Sequence, residues 1–233
     1  MIANLAGIVI LAGGASRRMG TSKAELILPS GERLLDYHVR QALKLLTANT
    51  SVADKSIPIM IADNGRGFLV DKTQLAEAKT PICHITDYDS PSVVAKSETQ
   101  GPLVAIESAL QKLAKLKKAD KVERAEASWL MVISCDSLIS AYDLWKMLGS
   151  YTVSIAHDQS VICLTDTAHL YPLLGLYHLT VEPELQAYID SGERQVMRFI
   201  RAITKAVPVA AKWQSLTNFN TPDDFKRACT ALM

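Results

Sequence analysis

VILAGGASRRMGTSKAEL, residues 9–26, breaks off an apolar run abruptly and sets Gly13, Gly14, Arg17, Arg18, Gly20 and Lys23 close together. A reverse turn needs one or two glycines and no cluster of cations beside them. The run in front, LAGIVILA (residues 5–12), is short, continuously apolar and ends in glycine. That is the pattern of a parallel strand buried on both faces. Ligands of open parallel sheets bind beyond the carboxyl ends of the strands. Adjacent glycines there let backbone N–H groups approach an anion with no Cβ in the way. Arg17, Arg18 and Lys23 supply positive charge for a polyphosphate. Composition alone fits a solvated basic turn equally well. Two familiar phosphate loops are excluded. Gly20 is followed by Thr-Ser-Lys, so there is no Gly-Lys-Ser/Thr, and adjacent glycines do not make G-x-G-x-x-G.

Outward from this loop, strands and amphipathic helices alternate. ERLLDYHVRQALKLL (residues 32–46) places Leu34, Leu35, Val39, Ala42, Leu43 and Leu46 on one helical face. IPIMIAD (57–63), PICHITD (81–87) and SWLMVISCD (128–136) are predicted strands, and GPLVAIESALQKLAKL (101–116) a helix with proline in its first turn. A helix is expected near residues 142–148, strands at YTVSIA (151–156) and PLLGLY (172–177), and helices at 181–192, 194–203 and 223–232. The charged stretch 117–127 ends the preceding helix and forms a link, and DYDSPSVVAKSETQG (87–101) is a polar surface loop. The expected fold is α/β, a three-layer, mainly parallel sheet with helices on both faces. Residues 1–233 form a single domain in this reading.

With 48% hydrophobic and 21% charged residues, the 233-residue chain reads as a soluble globule with a substantial core. A net charge of +1 argues against a nucleic-acid surface, which needs a concentrated basic field. Cys83, Cys135, Cys163 and Cys229 contain no Cys-x-x-Cys and read as core thiols in a reducing compartment. No apolar run approaches the ~20 residues of a membrane span. The amino terminus reads as a first strand rather than a signal peptide, so a cytoplasmic location is expected. The five histidines form no metal-spaced pair and receive no catalytic role, and the three tryptophans are assigned to core and interface.

Two strand-end acids complete the set of candidates. Asp136 follows the apolar VISC, so it should share a crevice with the basic loop. There it would suit Mg²⁺, which takes one or two carboxylates plus substrate phosphates. The competing reading is a cap for the next helix. Asp87 ends HITD and is either a ligand contact or the start of an Asx turn.

LAGGASRRMGTSK (residues 11–23) resembles the Leu-Ala-Gly-Gly-x-Ser-x-Arg-Met-Gly-x-x-Lys motif of the molybdenum cofactor guanylyltransferases, members of the nucleotidyltransferase superfamily. QGPLVAIESAL (100–110), SCDS (134–137), residues 171–200 and NFNTPDDF (218–225) resemble further segments of that family in the same order. The resemblance implies a Rossmann-like nucleotidyltransferase fold, with a nucleotide-binding half at about 1–140 and a pterin-side half at about 141–233. It implies transfer of GMP from GTP to the phosphate of molybdopterin, with release of pyrophosphate. Leu11, Ala12, Gly13 and Gly14 would line the nucleotide path, and Lys23, with Arg18 nearby, would hold phosphates. Asp87 would contact the nucleotide and Asp136 would bind Mg²⁺, making Lys23 and Asp136 the catalytic pair. Asn218 and Asn220 would face the pterin. The resemblance further implies transient contact with molybdenum insertion proteins and the apo-molybdoenzymes that receive the product, without nucleic acid or membrane.

The chain departs from the pattern at Ser134 and Leu138, where prolines are usual, and at Ala62, where an asparagine often sits. Asp63 and Asn64 are adjacent and could substitute. The loop before Gln100 is longer than usual. Gly13, in place of the alanine of the cytidylyltransferases, is expected to favour guanine. A cytidylyltransferase, another nucleotidylyltransferase and a non-catalytic nucleotide-binding regulatory module are the alternatives.

Overall fold

The computed structural model describes residue 2 and residues 4–14, 18–48, 57–89, 101–119 and 128–232. Its centre is a seven-stranded sheet: β1 (Leu5–Leu11), β2 (Ile59–Ala62), β3 (Ile82–Ile85), β4 (Trp129–Ser134), β5 (Val161–Thr165), β6 (Leu170–His178) and β7 (Thr204–Pro208). The spatial order is β3-β2-β1-β4-β6-β5-β7. β1, β2, β3 and β4 run parallel, β6 is antiparallel to β4 and β5, and β7 runs parallel to β5. The sheet is therefore mainly parallel, as the alternation of elements predicts. It carries strands from both expected halves of the chain.

Every residue of β1 and β4 is buried. Side chains alternate between faces along a strand, and the two cores follow that alternation. Ile8, Ile10, Ile59, Ile61, Met131 and Ile133 pack into one, beneath α1 (Leu34–Thr47), α4 (Ala141–Leu148) and α7 (Pro222–Leu232). Val9, Leu11, Met60, Leu130 and Val132 pack into the other, beneath α3 (Pro102–Ala119), α5 (Glu182–Asp190) and α6 (Val196–Ile200). This is the three-layer arrangement. A short exposed helix, α2 (Lys72–Glu77), lies between β2 and β3 and has no apolar period that would announce it. All four cysteines are free thiols, and Cys135, Cys163 and Cys229 are buried. Trp129 and Trp145 are core residues. No described helix is long and apolar enough to cross a membrane.

The second half of the chain corrects two expectations. Residues 151–156 are not a strand. Gly149–Val153 is a 3-10 turn that extends α4, and Val153 is 80% exposed. The strand comes later, at β5, where VICLT is buried between β6 and β7. The helix expected over 194–203 is confined to Val196–Ile200, because the chain must turn into β7. The loop expected over 87–101 and the link over 117–127 lie largely outside the described residues.

One buried group breaks the pattern of an apolar core. Glu107, on the inner face of α3, is completely enclosed. Its Oε1 accepts a hydrogen bond from Gln111 Nε2 at 3.0 Å. Burial, then the negative charges of Glu182 and Asp190 on α5, raise its pKa to about 8. An acid whose pKa is higher in the folded than in the unfolded chain holds an extra proton when folded. Its contribution is full below the ordinary carboxylate range and is lost as pH rises through about 8. Wild-type melting temperature should therefore fall between pH 5 and pH 8.5. Glu107→Gln, which keeps the acceptor for Gln111, should flatten that fall, as calorimetry at the two pH values would show.

Candidate active site

β1 is the strand at which the order of the sheet reverses, with β2 on one side and β4 on the other. Leu11 pairs with Ser134 at the carboxyl ends of β1 and β4. The two chains therefore leave the sheet side by side, and the crevice between them is the binding position of doubly wound sheets. A cavity of about 320 Å³ opens here. Leu11, Ala12, Gly13 and Gly14 line it after β1, Asp87 after β3, and Asp136 after β4, with Lys23 entering from the loop. The structure thus gathers seven of the expected site residues. Arg18 is exposed and does not line the cavity, though its charge is near enough to oppose protonation of Lys23. Arg17 lies outside the described residues.

Lys23 begins a 3-10 turn, Lys23–Glu25, whose Ala24 is buried against the core. Its Nζ lies 3.7 Å from Asp136 Oδ2 and donates to Asn220 Oδ1 at 2.9 Å. Burial lowers its pKa, and Asp136 opposes that shift. The cap reading of Asp136 does not survive. α4 is capped by Ser140, whose hydroxyl accepts from Asp143 N at 3.0 Å. The carboxylate of Asp136 instead faces the cavity and Lys23, while its main-chain oxygen accepts from Phe219 N at 2.8 Å. The turn beneath it is pinned from α1. His38 is buried, contacts the Ser137 carbonyl oxygen at 2.9 Å, and is held neutral by burial with a pKa of about 4. It is a structural histidine.

The other wall comes from the turn after β2. Asp63 is buried and accepts from Gly65 N and Phe68 N at 3.1 and 3.0 Å, with His84 Nδ1 at 3.1 Å. These bonds hold Asn64 in a left-handed conformation, φ 55°, uncommon for a residue with a Cβ. Asn64 lines the cavity beside Ala62. Asp87, after the neighbouring β3, belongs to the same side, its pKa raised by burial and by the nearby Asp63. Gly101, Pro102 and Ala105 at the start of α3, and Leu173 of β6, complete the lining. Leu173 had no sequence signal, since nothing in an apolar strand marks which residue faces a ligand.

The structure also supplies a local reason for Gly13. A Cβ there would stand 2.9 Å from Asn64 Cβ and 3.1 Å from Asn64 N. The β1 and β2 loops touch, and Arg66 Nη1 ties them by donating to the Gly14 carbonyl at 3.2 Å. Glycine is required by packing, independently of the size of any base.

Among the described residues no group of three or more His, Cys, Asp and Glu side chains is placed to hold a metal ion. Among the described residues, Asp136 is the cavity carboxylate paired with the lysine. It could hold a hard divalent cation whose remaining ligands come from substrate phosphates and water.

A family model for the MobA-like NTP transferase domain matches residues 8–207. The chain belongs to this family. Its members' relationship extends well beyond the motif. The probable molybdenum cofactor guanylyltransferase of Rhodopirellula baltica is 30% identical over 219 residues, covering 93% of this chain and 88% of that one. The molybdenum cofactor guanylyltransferase of Vibrio atlanticus is 25% identical over 217 residues, covering 93% and 91%. Among solved structures, molybdopterin-guanine dinucleotide biosynthesis protein A from Archaeoglobus fulgidus aligns with a TM-score of 0.61 at 18% identity, covering 97% of this chain and 98% of that one. The 4-diphosphocytidyl-2C-methyl-D-erythritol synthase of Anaerococcus prevotii aligns with a TM-score of 0.57 at 10% identity, covering 99% of each. The structural likenesses establish a shared fold. This family member is a nucleotidyltransferase.

Gly13→Ala tests the packing account. Forcing the β1 and β2 loops apart should weaken GTP and CTP alike, by about tenfold or more for a 1–3 kcal/mol overpacking cost. Calorimetric titration with both nucleotides would show it. An exchange of GTP preference for CTP preference would instead assign Gly13 to base selection.

Proposed function

We propose that this chain transfers GMP from GTP to the phosphate of molybdopterin, releasing pyrophosphate and forming molybdopterin guanine dinucleotide. The observation that carries the reading is the pairing of Lys23 with Asp136 across the cleft at 3.7 Å. It stands in a chain whose relatives are molybdenum cofactor guanylyltransferases. Delivery of the product by transient contact with molybdenum insertion proteins and apo-molybdoenzymes, in the cytoplasm, belongs to the same reading.

Asp136 is the residue that would hold Mg²⁺, and the ion when bound would neutralise charge on the nucleotide phosphates. The glycine backbone after β1 admits the nucleotide closely, with Gly14 exposed at the mouth. Lys23 faces the same space with a fixed ammonium, which suits the charge gathered by departing pyrophosphate. Asp87 and Asn64 follow β3 and β2, on the side of β1 away from β4 and Asp136, where a base would lie. A phosphate nucleophile is already ionised near neutral pH, so the chain need not provide a general base. The structural role of His38 agrees with that economy. The reaction is then one of positioning and charge stabilisation, with no covalent enzyme intermediate.

Pyrophosphate release measured with each of the four NTPs, with and without molybdopterin, tests the reading. Turnover should require molybdopterin and be fastest with GTP. Faster use of CTP would move the chain to the cytidylyl branch. Nucleotide binding without turnover would make it a regulatory module.

Asp136→Asn separates chemistry from folding. Ser140, not Asp136, caps α4, so the melting curve should stay within about a degree of wild type. Turnover should drop about a hundredfold, the usual cost of one transition-state electrostatic contact of ~3 kcal/mol. Wild-type turnover in this variant would remove Asp136 from the mechanism.

A further inference from the structure

The asparagine pair near the carboxyl end looks, from sequence, like an acceptor-side element. The structure separates the two. Asn218 is exposed, whereas Asn220 is half-buried and its side-chain oxygen accepts from Lys23 Nζ at 2.9 Å. This contact joins residues 197 positions apart.

The segment that carries Asn220 is bolted to the turn after β4. Ser137 Oγ donates to the Leu216 carbonyl at 2.8 Å, and Leu138 N donates to the same carbonyl at 2.9 Å. Phe219 N donates to the Asp136 carbonyl at 2.8 Å. The Phe219 ring is fully buried, with Lys23 Nζ 5.6 Å from its centre, within the range of a cation–π contact. Beyond Asn220 the chain is fixed by a reciprocal cap on α7. Asn220 N and Thr221 N donate to Asp224 Oδ2 at 3.2 and 3.0 Å, and Asp224 N donates to Thr221 Oγ1 at 3.2 Å. The backbone of Asn220 is thus held independently of its side chain.

We propose that Asn220 is a positioning residue for nucleotidyl transfer: its amide oxygen holds the Lys23 ammonium at the phosphate side of the cleft, beside Asp136 but not collapsed onto it. The physical reason lies in the choice of a neutral acceptor. A long lysine side chain loses considerable rotamer entropy when fixed. A second carboxylate would fix it by cancelling its charge. An amide oxygen fixes the direction of Nζ and leaves the full charge for phosphate. It also competes with Asp136 for the ammonium, so the carboxylate keeps capacity for a cation. The dipeptide Phe219–Asn220 then governs both charged groups, one through the main chain of Asp136 and one through the side chain of Lys23. The inference rests on the nucleotidyltransferase reading and assigns Asn220 to the nucleotide rather than the pterin.

A double-mutant cycle on GTP affinity tests it, with wild type, Lys23→Ala, Asn220→Ala and the double variant titrated calorimetrically. Asn220→Ala should weaken GTP about tenfold, as expected for loss of a hydrogen bond to a charged group. In the Lys23→Ala background the same change should cost nothing further. Steady-state kinetics should show a loss in kcat and in kcat/KM for GTP, with KM for molybdopterin unchanged. Wild-type GTP affinity in Asn220→Ala would overturn the inference. Equal losses in both backgrounds would do the same, because a general loosening of the fold acts whether or not Lys23 is present. A loss confined to KM for molybdopterin would return Asn220 to the acceptor. The binding cycle needs no acceptor, so wild type that binds GTP yet makes no product with molybdopterin would sink the proposed function while the cycle still reads the contact.

Discussion

Leu11 opposite Ser134 fixes the site. The two residues end neighbouring parallel strands in register, and parallel neighbours lie about 4.8 Å apart. Whatever follows them in sequence must therefore emerge side by side. Glycines follow one strand and Cys135–Asp136 the other. The burial of β1 and β4 on both faces holds this register, because a slip by one residue would move side chains between two different cores. A loop of mixed charge could not fix the separation of a cation and an anion with comparable certainty. Here the sheet does it, and the loops only orient what the sheet has already juxtaposed.

The cleft has two walls with different physics. The wall after β2 and β3 is rigid through main-chain bonds to the buried Asp63, and it touches the β1 loop so closely that Gly13 admits no side chain. The wall near Lys23 depends on side chains and on contacts distant in sequence. The proposed base end is thus shaped by packing and the proposed phosphate end by electrostatics. That division suits a reaction in which one part of the substrate must be recognised and another must gather charge.

Much of this was legible beforehand. β1 and β4 announce themselves as apolar runs with nothing else to be, and α1 by its stripe of Leu34, Leu35, Val39 and Ala42. The strand-end rule then placed Gly13 and Asp136 in one crevice without any contact being known. The errors came where local pattern misleads. YTVSIA alternates like a strand but follows directly on the Gly149 cap of α4, where the chain tightens into a 3-10 turn. β7 was missed because, as an edge strand, it leaves Lys205, Ala206 and Pro208 exposed and forms no apolar run. Asp136 resembled a cap, and only the Ser140 bond to Asp143 N showed otherwise. The contact of Asn220 with Lys23 could not be read at all. Its two halves belong to opposite ends of the chain, and neither carries a mark of the other.

The clamp formed by residues 216–220 has a consequence for the order in which the molecule matures. All seven strands precede it, since β7 ends at Pro208. A nascent chain released from the ribosome only that far has every strand of its sheet and the complete glycine loop, yet lacks the groups that hold Asp136 by its carbonyl and Lys23 by its ammonium. Lys23, made early, waits for a segment made nearly two hundred residues later. With Asn220 in its proposed role, competence for chemistry waits until residues 216–220 are in place.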